Sequence, residues 1–271
     1  MPDRLRLVGH KGADLIAPGN TLASFHAAIE AGVDTIEIDI LWTRSGHPRL
    51  PAADRTPLIV AHDWHDAERR QPLTLAEALD AFLEPPLDRV EVDLDIKLPG
   101  REEEVVIALR ERDLLGRAMV STMELSSLAR FRELEPGLRR GWTYPKVSRD
   151  WASKRWARGP MLAALVAMRR RLPALASRAL PQLGVESMWI YHSLASRRLA
   201  SVTEAAGVEL IAWTVDDTQR MQKLLEAGVT GLCSNDPRLF ARIQSEYFEL
   251  SASNQPPGRL LGDPERPDRS G

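Results

Sequence analysis

The sequence predicts an α/β fold: a (β/α)8 TIM barrel with a basic, partly helical insertion between its fifth and sixth strands. Three observations lead there. Short apolar runs alternate with helix-period segments, making eight strand–helix units in 271 residues, the order of parallel strands joined by crossover helices. Eight units at this length close a barrel more readily than they fill an open sheet. The competing arrangement, a doubly wound sheet, calls for a Gly-rich phosphate loop. The stretch "VGHKGADLIAPGN" has neither GxGxxG nor P-loop spacing.

Strands are predicted at Leu5–Gly9, Thr35–Leu41, Val90–Ile96, Ala118–Ser121, Arg139–Trp142, Met188–Tyr191, Leu210–Val215 and Gly231–Cys233. The first helix, Thr21–Ala31, places Leu22, Phe25, Ala28 and Ile29 at helical spacing, with Asn20 or Thr21 as its cap. Thr74 caps a helix over Leu75–Leu83. Further helices are predicted at Glu102–Arg112, Leu125–Leu134, Ser196–Ala206, Asp217–Glu226 and Pro237–Leu250. Residues 1–250 therefore form one barrel domain, with the insertion at about 146–182. Residues 251–271, rich in Pro, Gly, Ser and charge, are expected to be a disordered tail.

Composition narrows the function classes. A net charge of −2 offers no bulk attraction to nucleic acid. One cysteine, Cys233, excludes an internal disulfide. The N-terminus lacks the apolar run of a signal peptide, and no run approaches the roughly 20 residues of a membrane span. A soluble cytoplasmic protein is expected, its oligomeric state open.

Two strands carry charge where a barrel has its interior. In "TIEIDIL" the isoleucines share one face and Glu37 and Asp39 the other; in "VEVDLDIK" Glu91, Asp93, Asp95 and Lys97 share a face. Helices cover the outer face of barrel strands, so these carboxylates point inward. Buried together they repel and must pair or ligate. Glu37, Asp39 and Asp95, near C-terminal strand ends, form an oxygen-only site for one divalent cation, Mg²⁺ or Ca²⁺. Glu91 and Asp93 lie deeper and suit structural pairing. His10 and His62 each close a strand-like run, "LRLVGH" and "PLIVAH", over the same mouth. Two imidazoles beside a cation point to general acid and base. Lys11 and Lys97 add positive charge, completing a site for a phosphate ester. His26, His47, His65 and His192 lack that support and are expected to be structural or exposed.

These residues resemble the glycerophosphodiester phosphodiesterase family. Its pattern is His-Arg-Gly, Pro-Glu-Asn-Thr, Glu-x-Asp, Thr-x-Asp-Gly, His-Asp, Glu-x-Lys, Trp-Thr-Val and Thr-Asp-x-Pro. The chain has His10-Lys11-Gly12, Pro18-Gly19-Asn20-Thr21, Glu37-Ile38-Asp39, Thr43-Arg44-Ser45-Gly46, His62-Asp63, Asp95-Ile96-Lys97, Trp213-Thr214-Val215 and Ser234-Asn235-Asp236-Pro237, in that order. The resemblance implies a metal-dependent barrel enzyme with His10 and His62 as the acid/base pair and Glu37, Asp39 and Asp95 as metal ligands. It also implies Lys11 and Lys97 as phosphate contacts and Trp213 as a pocket wall at the glycerol end. A packed core aromatic is the alternative for Trp213. Three departures stand out: Lys11 for arginine, Gly19 for glutamate and Asp95 for glutamate.

The expected reaction is cleavage of a glycerophosphodiester to glycerol 3-phosphate and an alcohol. The nucleophile is either water or the substrate's own hydroxyl through a cyclic phosphate, and either histidine can be the acid. Two alternatives are a lysophospholipid or other lipid phosphodiesterase at a membrane surface, and a non-catalytic binding protein on the same barrel. The segment 146–180 bears on the first. It has nine Lys or Arg against one acid, Asp150, together with Trp151, Trp156 and the apolar run Met161–Met168. It is expected to cover the site and to touch anionic lipid, the competing reading being an ordinary barrel helix with a solvated basic face.

Overall fold

The computed structural model describes residues 5–146 and 158–243. Strand β1 (Arg6–Gly9) pairs in parallel with both β2 (Thr35–Leu41) and β9 (Gly231–Ser234), and this double pairing closes the sheet. The ring is completed in parallel by β4 (Glu91–Ile96), β5 (Ala118–Thr122), β6 (Arg139–Tyr144), β7 (Ser187–Tyr191) and β8 (Glu209–Trp213). The predicted (β/α)8 barrel is therefore the fold. One strand is additional: β3 (Ile59–Val60) runs antiparallel along the end of β2, with Ile40 opposite Val60. It carries the "PLIVAH" run that ends in His62.

Alternation along each strand separates two cores. Outward residues such as Leu7, Ile36, Ile38, Leu94, Val120, Ile190 and Leu232 join Phe25, Phe82 and Phe131 of the helices in one apolar layer. Fully burying a side chain of this size stabilises by about 1.5–3 kcal/mol. The intervening residues Val8, Met119, Trp189, Ile211 and Cys233 form a smaller cluster inside the ring, with Trp213 packed on it. The carboxylates of β2 and β4 share the same interior. Their register sets Glu37 beside Asp93 and Asp39 beside Asp95.

The helices are α1 (Leu22–Glu30), α2 (Trp64–Arg69), α3 (Leu75–Ala81), α4 (Glu102–Arg110), α5 (Leu125–Leu134), α6 (Arg158–Leu183), α7 (Arg197–Ala205) and α8 (Thr218–Glu226). Thr21 caps α1 in a reciprocal box with Ser24, and Thr74 caps α3 with Glu77. After β9 the chain enters a 3-10 turn at Pro237–Leu239 and turns helical from residue 240, so the predicted Pro237–Leu250 helix runs out of the described residues.

Helix α6 occupies most of the predicted helical segment between the fifth and sixth parallel strands. Arg158–Leu183 is one helix of 26 residues, and its second half is the barrel's own crossover helix. Leu172, Ala176 and Leu180 recur at four-residue spacing and are buried. In the first half Leu165 and Met168 pack against the apolar core, whereas Leu162 is 64% and Val166 44% exposed. Trp151, Trp156 and the basic residues between them lie outside the described residues, as does the segment 251–271. Among the described residues no helix is long and apolar enough to cross a membrane.

Candidate active site

His10 leaves the end of β1 and is held there by its backbone N–H, which donates to Ser234 O at 2.9 Å. The chain then turns sharply, with φ of 51° at Lys11 and 83° at Gly12. A Cβ on Gly12 would meet Ser24 atoms at 2.6 Å, so both its dihedral and its contacts require glycine. The turn delivers the Lys11 backbone N–H to Glu37 Oε2 at 2.8 Å.

Glu37 and Asp39 rise from β2 and Asp95 from β4, all three buried, and their ligand oxygens lie within 4.8 Å of one another. Lys97, two residues past Asp95, places its ammonium against both Asp39 and Asp95. Asn20, in the left-handed region at φ 59°, clamps Asp39 from behind. Its Nδ2 donates to Asp39 Oδ2 at 2.7 Å, and its Oδ1 accepts from the Asp39 backbone N–H at 3.1 Å. Asn20 is thus a site residue that sequence reading assigned only as a possible helix cap. The Pro18–Thr21 motif was visible, but its separation into a cap (Thr21) and a clamp (Asn20) depends on the fold.

The deeper carboxylates do what their position predicts. Glu91 pairs with Arg6 and Arg139. Asp93 accepts from Ser121 Oγ at 2.6 Å.

Lys11 is placed differently from Lys97. Its Nζ lies 2.5 Å from Asp14 Oδ2, and Asp14 Oδ1 accepts from the Gly19 N–H at 2.9 Å. A Cβ on Gly19 would fall 2.4 Å from Asp14 Oδ1. The glycine at the family's glutamate position therefore makes room for Asp14, whose carboxylate takes up the neighbouring space. Lys11, Asp14 and Gly19 thus form one local group.

Burial and the shared charge set the proton affinities. Burial raises the Glu37 carboxyl well above its ordinary value, and Asp39 raises it further against the pull of Lys97. Burial also works against Asp39 ionising, yet Lys97, His62 and His10 outweigh it and hold this carboxyl well below the usual range. Lys97 is raised well above an ordinary lysine, because Asp39, Asp95 and Glu37 overcome its burial. Burial lowers His10, with Asp39 opposing. The interior thus favours a neutral His10 next to a charged Asp39–Lys97 pair.

These groups open on a cavity of about 250 Å³. His10, Glu37, His62, Asp95 and Lys97 line one side; Met123, Trp189 and Trp213 line the other. Asp39 lies beneath, fully buried. The His62 side chain is 54% exposed and its Nδ1 lies 3.3 Å from Asp63 Oδ2. Trp213 meets Tyr191 edge-on, and its buried Nε1 has no hydrogen-bond partner. Lys11 is not among the lining residues. Of the other histidines, His26 and His65 are exposed. His47 stacks edge-on against Trp42, and His192 accepts from Arg220.

The acidic triad fits a hard divalent cation. Its donors are all oxygen, as Mg²⁺ and Ca²⁺ prefer. Three carboxylates facing one ammonium carry more negative than positive charge when ionised, and Asp39 Oδ1 has Lys97 beside it without an aligned hydrogen bond.

The sequence model of the Glycerophosphoryl diester phosphodiesterase family matches residues 10–50 and 71–239. The chain belongs to this family. The matched stretches hold His10, Lys11, Glu37, Asp39, Asp95, Lys97 and Trp213. His62 falls in the unmatched stretch between them, where β3 brings it to the cavity. The glycerophosphodiester phosphodiesterase of Caldanaerobacter subterraneus subsp. tengcongensis is 26% identical over 88% of this chain and 96% of its own. That of Bacillus subtilis is 24% identical over 91% of this chain and 88% of its own. Among solved structures, an Oleispira antarctica phosphodiesterase in complex with the product sn-glycerol-3-phosphate superposes with a TM-score of 0.63. It is 22% identical and covers 90% of this chain and 96% of its own, which supports the shared fold. The chain is accordingly an enzyme of the family's phosphoric diester hydrolase class.

Proposed function

We propose that the enzyme hydrolyses glycerophosphodiesters to glycerol 3-phosphate and an alcohol, with His10 and His62 as the acid/base pair. The observation that carries this is the convergence of both histidines, Glu37, Asp95 and Lys97 on one cavity above Asp39. Lys97 contacts the phosphate from the Asp39–Asp95 pair. Lys11, outside the cavity lining, is the second phosphate cation only if its ammonium leaves Asp14 and swings towards the cavity. Trp213, in the cavity wall, packs against the glycerol end. One histidine takes the nucleophile's proton and the other protonates the leaving alcohol. A single divalent cation, Mg²⁺ or Ca²⁺, held by Glu37, Asp39 and Asp95, supplies charge neutralisation and Lewis acidity to this chemistry. The test is release of glycerol 3-phosphate from glycerophosphocholine with and without EDTA. EDTA-sensitive release is expected; binding of the diester without release would make the protein a non-catalytic receptor on the same barrel.

One observation favours a lipid substrate as a second reading. The first half of α6 leaves Leu162 and Val166 exposed, followed by exposed Arg169, Arg170 and Arg171. No acidic residue occurs in Arg158–Leu183. The helix follows β6 and so begins on the catalytic side of the barrel. Apolar and arginine side chains together suit an anionic lipid surface. Co-sedimentation with phosphatidylserine vesicles at low salt, alongside turnover of a lysophospholipid, tests it. Absence of both leaves the soluble diester as the substrate.

A further inference from the structure

His10 rests against a short polar chain whose direction can be worked out. Its Nδ1 lies 2.6 Å from Asn235 Oδ1. Asn235 Nδ2 lies 2.7 Å from Asp216 Oδ2. Asp216 Oδ1 also accepts from Ser234 Oγ at 2.9 Å and from the Asn235 backbone N–H at 2.8 Å. An ionised carboxylate only accepts. Asn235 must therefore turn its amide nitrogen towards Asp216, which leaves its oxygen facing His10. That oxygen also only accepts, so His10 Nδ1 must carry the hydrogen. In a neutral imidazole the other nitrogen then has the lone pair. Here that nitrogen is Nε2, 4.0 Å from Glu37 Oε2. The backbone holds the chain in register: Gly9 pairs with Ser234, and the Val215 N–H donates to Cys233 O at 2.9 Å.

We infer that Asp216 and Asn235 are positioning residues that fix His10 as the Nδ1–H tautomer and so make Nε2 the ring nitrogen that faces the reaction. The tautomer follows from the donors and acceptors alone; the catalytic role rests on the His10/His62 reading above. Neither Asp216 nor Asn235 belongs to the acidic triad, and both sit on the opposite side of His10 from it.

Nitrogen-15 NMR of histidine-labelled protein at about pH 8, above the ordinary histidine range, reads which ring nitrogen holds the hydrogen. Wild-type His10 is expected to show a protonated Nδ1 and a bare Nε2. Asn235→Leu should release the ring into both tautomers and lower kcat on glycerophosphocholine by about 10²–10⁴, the range lost with general acid–base assistance, with KM little changed. Asn235→Asp keeps an acceptor oxygen of the same length and should restore the tautomer and part of kcat. Asp216→Asn removes the element that sets the direction and should give an intermediate mixture. A bare Nδ1 in the wild type overturns the inference, and so does Asn235→Leu with both tautomer and kcat retained. If Asn235→Leu does not fold, the wild-type tautomer and the Asn235→Asp and Asp216→Asn variants still decide it. A wild-type protein that does not hydrolyse the diester sinks the proposed function and the catalytic use of His10 Nε2 with it, while the NMR still decides the tautomer.

Discussion

Asp93 is fully buried, with one oxygen held by Ser121 and the other without a partner. Burial pushes its carboxyl well above the ordinary value. The unfolded carboxyl ionises near about 3.9, so between that value and the folded one the native state binds more protons. Its effect is therefore to make stability fall as pH rises through this window, and to leave a constant penalty beyond it. Asp93→Asn keeps the Ser121 bond without the charge. It should melt higher than wild type at alkaline pH, with the gain shrinking on acidification; a uniform loss of stability across pH would contradict this. The two histidines make the opposite kind of prediction. His10→Ala and His62→Ala should each cost about 10²–10⁴ in turnover and leave thermal melting unchanged. Normal activity in either would remove it from the acid/base pair. Asp95 tests the cation: wild-type protein should melt higher with Mg²⁺ or Ca²⁺, by about 2.7 kcal/mol at a hundredfold excess over Kd. Asp95→Ala should erase that gain, and calorimetry showing equal ion affinity in the variant would place the ion elsewhere.

Helix α6 combines both readings that its sequence offers. Leu172, Ala176 and Leu180 form the buried stripe of an ordinary barrel helix, while Leu162, Val166 and the three arginines at 169–171 are exposed. The two halves should respond differently to truncation. Leu172→Ala removes a buried side chain and should cost about 2–5 kcal/mol in denaturant unfolding. Leu162→Ala, at 64% exposure, should stay within about 0.5 kcal/mol. If the exposed half meets lipid, Leu162→Ala should instead weaken vesicle co-sedimentation.

The barrel as a whole separates stability from chemistry along its axis. At the N-terminal end Arg6 bonds Glu209 at 2.8 Å and Thr35 at 3.0 Å, and pairs with Glu91, so one side chain ties strands β1, β2, β4 and β8. Arg139 of β6 joins the same group through Glu91 at 2.9 Å. The catalytic cavity opens at the other end. Arg6→Ala should lower unfolding free energy by about 1–3 kcal/mol, the scale of hydrogen bonds to charged groups, and leave kcat unchanged. A fall in kcat without a fall in stability would show that the two ends are coupled.

The strand pattern was legible because a barrel imposes a simple rule: outward residues must be apolar, so charge at alternate positions of β2 and β4 has to face inward. From that rule alone Glu37, Asp39, Asp95 and Lys97 came together, and Glu91 and Asp93 separated from them. The helices were legible from caps and spacing, Thr21 and Thr74 among them. What the sequence left open depends on contacts between segments far apart in the chain. Asn20 reaches Asp39 only because a left-handed turn aims it at β2. Asp14 takes the space freed by Gly19 only once the turn after β1 has folded. Asn235 faces His10 because β9 lies beside β1, the pairing that closes the ring. Alternation fixes which way a side chain points, but not which neighbour it meets there, and in this protein that neighbour sets the tautomer of His10.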